Sequence, residues 1–287
     1  MKTNNYKPHI FSLFGLFVCG NAVISLPFYN AKNPIFSFAI TAIISVIFIW
    51  LSVFIVRLVK TSKIVFWAVC LPIGLLALYG AATALYDYLN FIVAVQLPQT
   101  SFVWLAFLMV TLVVIFAASP NSAIYKYCLL MAVFCAAMVI LLFVVGTKYF
   151  DLSQLGLILN LRNFGAATPT IFLRYFSSLA VPVLFVFLTD ADKTIKAITF
   201  GSVFGFWTVV ICLAQGVLTL GGAEYSYPYI DAVSVISSGS LFTRLDGFVY
   251  FIFFATAITK AAVCAKTVVL IIKSLFAIKK NRMIFYA

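Results

Sequence analysis

Acidic residues are scarce in this chain. Its 287 residues hold seven: Asp87, Asp151, Asp190, Asp192, Glu224, Asp231 and Asp246. Histidine is scarcer still, with His9 alone. A Ser-His-Asp arrangement or a His/carboxylate metal centre needs more material than this. The sequence therefore does not read as an enzyme, and it implies no cofactor. The six cysteines, Cys19, Cys70, Cys128, Cys135, Cys212 and Cys264, lie in apolar stretches, and no two form a C-x-x-C. They read as small buried hydrophobes, not as a disulfide framework or a zinc site. Charge of either sign is thin, at 9% of residues, against ~25% in a soluble domain. There is no polar linker and no low-complexity segment, so the chain reads as one membrane domain over residues 1–287.

Apolar surface is present in excess. Hydrophobic residues make up 65% of the chain and the mean hydropathy is +1.17. No soluble fold has interior enough for that, so the bilayer must be the solvent for most of it. The net charge of +12 comes from 19 basic against 7 acidic residues. In a soluble domain that balance would suggest nucleic acid. In a membrane protein the bases first mark the cytoplasmic loops.

A transmembrane helix needs about 20 mostly apolar residues. Cutting the chain at its charges and at the breaks Gln96–Thr100 and Ser119–Ser122 predicts eight spans, near 10–29, 35–57, 64–88, 101–118, 123–147, 168–189, 197–221 and 245–272. Twelve lysines and arginines fall on the N-terminal side of these spans and three on the other. That asymmetry puts both termini in the cytoplasm and leaves the nucleic-acid reading without support. Lys2 and Lys7 precede an apolar run, but no small-x-small site with a polar mature domain follows, so a signal peptide is not expected.

Function in a membrane protein tends to sit where a helix is broken or charged, because either feature costs free energy in lipid. The first such place is Gly20-Asn21-Ala22-Val23-Ile24-Ser25-Leu26-Pro27. Pro27 cannot bond back to the carbonyl at residue 23. Asn21 and Ser25, one turn apart, can bind freed backbone groups or a ligand. By itself the stretch reads first as a helix ending at Leu26, and second as a break within the span. Span 6 carries Arg174, which reads as snorkelling to the outer interface, then Ser177, Ser178 and Pro182. Span 8 carries Lys260 near its middle, where an ammonium costs on the order of 2.5–3.5 kcal/mol. Lys260 should therefore face protein or water. Lys266 lies nearer the inner end and reads as snorkelling. Asp87 reads as ending span 3 at the outer interface. Ile230, Val233, Val235 and Ile236 have roughly helical spacing and predict an amphipathic helix over 230–241, lying on the outer surface above a vestibule. Together these features suit an inverted-repeat transporter, where broken helices line a midplane pocket.

With those residues in view, the sequence resembles the B subunit of bacterial spore germinant receptors. These are the endospore germination permeases, a branch of the amino acid/polyamine/organocation transporter superfamily. The resemblance runs along nearly the whole chain: the GNAVISLP stretch from Gly20 to Pro27, LPQT from Leu97, FDLSQL from Phe150, Tyr227-Pro228, and VSVISSGSLFTRLDGF from Val233 to Phe248, which holds the pair Arg244 and Asp246. Lys260 falls where the family tends to have an Ile-Lys pair. Two departures stand out. The second glycine of the span 1 motif is Ala22, and the family's ten helices are eight here.

The resemblance implies an all-α polytopic membrane protein of inverted-repeat, leucine-transporter-like fold lacking the last two helices. It also implies a receptor subunit that binds a small germinant, an amino acid, and signals to A-type and C-type receptor subunits in the spore inner membrane. On that reading Gly20, Asn21, Ala22, Val23 and Ser25 hold the ligand, with Ser177 and Ser178 opposite. Pro27, Arg244 and Asp246 are structural. From its charge and depth alone, not from the resemblance, Lys260 is expected to take the place a coupling cation holds in sodium-driven relatives and to hold the broken span 1 to span 8. The runner-up is a working amino-acid permease with the same pocket, and the third class is an inert scaffold that only assembles a complex.

Overall fold

In the computed structural model the described residues are 7–22, 44, 47–55, 63–95, 99–154, 179–189, 195–220, 228–238 and 246–279. Among them there is no strand. The helices are α1 (Lys7–Ala22), α2 (47–55), α3 (Lys63–Val95), α4 (Phe102–Ala118), α5 (Asn121–Gly146), α6 (Leu179–Thr189), α7 (Ile195–Leu220), α8 (Pro228–Ser238) and α9 (Asp246–Lys279). Four carry stretches long and apolar enough to cross a bilayer: Val65–Val93, Asn121–Tyr149, Ile195–Leu220 and Gly247–Ser274. Shorter apolar helices lie in α1, α4 and α6. The chain is an all-α membrane protein, because helices satisfy their backbone groups internally where no water can.

The apolar helices divide by what surrounds them. On α4 only Met109, Val113 and Ala117 are buried, a single stripe at four-residue spacing. The rest of that helix is half-buried or exposed, Trp104 73% so. This is one face on protein and the others on lipid. α1 is the opposite case. From Ile10 to Val18 only Phe11 escapes full burial, and the helix packs on α5, α7 and α9.

Side-chain pairings fix the relative directions. Phe11 and Gly15 of α1 lie against Gly201 and Gly205 of α7, so these two helices run parallel. Gly80 faces Cys264 and Gly74 faces Ile271. The rings of Phe91 and Phe253 stand 5.2 Å apart, so α3 runs antiparallel to α9. The Phe134–Phe251 ring pair, at 5.0 Å, and the 2.7 Å bond from Lys266 Nζ to the Ser119 carbonyl set α5 antiparallel to α9 as well. The C-terminal ends of α5 and α7 meet, where buried Gln215 donates from Nε2 to the Leu142 carbonyl at 3.0 Å. Nearby the Asp151 N–H donates to the Leu218 carbonyl at 2.9 Å. Odd-numbered α1, α3, α5 and α7 thus share one direction, and α9 takes the other.

Two expectations are corrected by packing. Asp87 does not end its helix, which continues to Val95. Tyr88, Leu89 and Phe91 are buried just beyond it, in an aromatic cluster with Tyr250, Phe253 and Phe254 of α9. Burying those rings holds the backbone helical past the one charge. Lys266 does not snorkel either. It is 7% exposed and donates to the Ser119 carbonyl in the α4–α5 turn, one of the carbonyls a helix C-terminus leaves without an intrahelical partner.

Candidate functional site

Among the described glycines the tightest contact is between α1 and α7. A methyl added at Gly201 would overlap the Phe11 carbonyl, and one at Gly205 would stand 2.8 Å from both the Gly15 carbonyl and the Val18 Cβ. Small residues four apart let two backbones approach this closely. The Cys19 thiol donates to the Gly205 carbonyl at 3.7 Å and closes the row.

Beside this contact lies a cavity of about 40 Å³. α1 contributes Gly15, Leu16 and Cys19, α5 contributes Cys135 and Val139, and α7 contributes Thr208 and Cys212. Ile252 and Thr256 of α9 and Tyr229 of α8 complete the wall. The volume is room for about three waters. It suits a small side chain, not a whole amino acid.

Most hydroxyls around the cavity are satisfied within their own helices. Ser12 donates to the Pro8 carbonyl, Thr208 to Phe204 and Thr256 to Ile252, each at 2.9 Å. Such bonds to the preceding turn satisfy a hydroxyl within its own helix. Tyr229 differs. It is 1% exposed, and its hydroxyl has no hydrogen-bond partner among the described residues. The Cys212 thiol is the polar group beside it, at most a weak partner. A buried hydroxyl left in this state costs on the order of 1–3 kcal/mol. Three thiols, Cys19, Cys135 and Cys212, share the lining, and all six cysteines are free. No group of three or more metal-ligating side chains occurs among the described residues.

The residues singled out from sequence fall as follows. Gly20, Asn21 and Ala22 are the last three residues of α1, directly after the cavity-lining Cys19. The helix runs through Gly20 and Asn21, so a break in this stretch begins no earlier than Ala22. The side chains of these three lie outside the described residues, as does that of Asp246, which opens α9. Val23, Ser25, Pro27, Arg174, Ser177, Ser178 and Arg244 lie outside them altogether. Lys260 is 6% exposed on α9, one turn beyond the cavity-lining Thr256, with Cys264 within range of its charge. Pro182 is buried inside α6.

The helix predicted over 230–241 is α8, Pro228–Ser238. Its inward stripe is Tyr229, Ala232, Val233 and Ile236, each at most 1% exposed. Ile230, at 4%, is buried as well, while Val235 is 42% exposed. Taking Val235 as an inward residue was an error of phase by one position. Tyr229 was the residue that sequence reasoning missed. Its signal was Pro228, since proline favours the first position of a helix. That start puts Tyr229 three, four and seven residues before the other inward positions.

The chain matches no family model, no curated protein and no solved structure.

Proposed function

We infer that this chain is the membrane subunit of a spore germinant receptor, binding a small amino acid within the bilayer and signalling to A-type and C-type subunits in the spore inner membrane. The fold that goes with this reading has eight spans in the inverted-repeat arrangement, with both termini cytoplasmic. The observation that supports it is the buried Tyr229 hydroxyl, with no partner better than the weak Cys212 thiol, at a cavity walled by α1, α5, α7 and α9. A buried polar group without a partner is costly, and a ligand that accepts or donates one hydrogen bond removes the cost.

The division of labour follows from the chemistry of each wall. The cavity is lined mainly by carbon and sulfur and takes the side chain of the amino acid. Its carboxylate and amine fall to the stretch that begins at Gly20, where Asn21, Ala22, Val23 and Ser25 offer backbone and side-chain groups. Ser177 and Ser178 close the opposite side. Lys260 fixes the central part of α9 through its charge and takes the place of a coupling cation.

Isothermal titration of the purified protein against a panel of amino acids tests this reading. One or a few small amino acids bind the parent, and Asn21→Leu and Lys260→Leu weaken them at least tenfold. Unchanged affinity in both variants removes the site. Uptake into proteoliposomes separates the receptor from the permease: accumulation of labelled amino acid without any partner subunit favours a permease.

A further inference from the structure

The Tyr229 hydroxyl differs from the other polar groups on the cavity wall in what it has left to offer. A serine or threonine hydroxyl carries one proton and two lone pairs. Ser12, Thr208 and Thr256 each place that proton on a carbonyl of their own helix. The Cys19 thiol places its own on the Gly205 carbonyl. These groups keep lone pairs only. The Tyr229 proton goes to no carbonyl among the described residues, and the Cys212 sulfur beside it is a weak acceptor. Carbon makes up most of the remaining wall, with Leu16, Val139 and Ile252 among its residues. The chamber thus presents one strong donor without a strong acceptor, set in apolar surface.

Size and charge narrow what can meet that donor. A cavity of about 40 Å³ holds about three atoms of water size. Counted outward from Cβ, the side chains of serine, threonine and valine stay within that number. Those of asparagine, glutamine and the aromatic residues exceed it. Among the described residues no charged side chain lines the wall, so an ionised side chain would enter without a counter-ion.

Resting on the reading of this cavity as the side-chain pocket of an amino-acid receptor, we propose that the pocket selects a short side chain bearing a hydroxyl, that of threonine or serine. The Tyr229 hydroxyl donates to the ligand's oxygen. The ligand's own proton has the lone pairs of Thr208 as an acceptor, one turn before Cys212 on the same face of α7. The methyl of threonine lies against the carbon of Leu16, Val139 and Ile252. Valine has the shape of threonine and fills the same space, but it gives the Tyr229 proton no acceptor. Alanine gives none either and leaves part of the space unfilled. A site built around a buried hydrogen-bonding group discriminates by that group more sharply than by size.

Isothermal titration of the purified protein with L-threonine, L-valine, L-serine and L-alanine tests the proposal. Threonine and valine share a shape, so the ratio of their affinities reads the hydrogen bond. The parent binds threonine about tenfold more tightly than valine, and serine about tenfold more tightly than alanine. Tyr229→Phe brings the threonine-to-valine ratio to about one, through loss of threonine affinity with valine affinity kept, the signature of a direct coupling in such a cycle. Valine held by the parent as tightly as threonine overturns the proposal and leaves the receptor reading standing. So does a threonine preference that Tyr229→Phe retains, or a parent that binds none of the four but does bind another amino acid. A parent that binds no amino acid overturns the receptor reading itself, and the proposal with it.

Discussion

The α1–α7 and α3–α9 contacts are both made between long apolar helices, and both contain glycine, yet the glycines do opposite things. At α1–α7 two glycines bring backbone against backbone, with carbonyls where a methyl would go. At α3–α9 the partners are the ends of side chains, a sulfur and a methyl, each 3.4 Å from the hypothetical Cβ. There the helices are held by the rings of Tyr88, Phe91, Phe253 and Phe254, and glycine leaves a hollow. In lipid the apolar effect does not drive helices together, so close approach and van der Waals fit must do it. The first contact uses close approach of the two backbones. The second uses aromatic fit at one end and is open at the other.

Substitutions at the glycines break this contrast most directly. Gly201→Leu has no room beside the Phe11 carbonyl and should abolish folding, read as loss of a monodisperse species in detergent. Gly205→Ala should lower stability by about 1–3 kcal/mol, the usual cost of overpacking a close contact, measured by thermal unfolding in micelles. Lys266→Met removes the bond that anchors the α4–α5 turn. Its effect should be local, with faster amide exchange over residues 119–124 and a stability loss of about 1–2 kcal/mol. At the small end, Gly80→Ala should stay within about 0.5 kcal/mol of the parent, since 3.4 Å to the Cys264 sulfur is ordinary contact. A Gly80→Ala protein as damaged as Gly205→Ala would erase the distinction.

For α1, α3, α4, α5, α7 and α9, helix existence was legible in the sequence because it depends on runs of apolar residues between charges, which a bilayer demands. Helix faces were not. α1 and α4 are both apolar throughout, and nothing in their composition says that one is surrounded by protein and the other mostly by lipid. The Gly201-x-x-x-Gly205 spacing was on view and is the kind of signal that marks close packing, but only the partner helix gives it meaning. Asp87 misled because a charge was treated as a boundary, whereas rings on α9 extend the helix past it. Lys266 misled because its depth was counted along its own helix, while its partner, the Ser119 carbonyl, comes from 147 residues away. The cavity was legible only in part: spans 1 and 8 and the 230–241 helix were expected around a pocket, but nothing in the sequence marked α5 and α7 as its other walls.

The account depends most on the Tyr229 hydroxyl being kept for a ligand, not for the fold. Tyr229→Phe removes that oxygen alone. Titrated against the amino acid the parent binds, this variant should be at least as stable as the parent without ligand and should bind about tenfold more weakly. Parent-like affinity in Tyr229→Phe would contradict the ligand chamber at its centre.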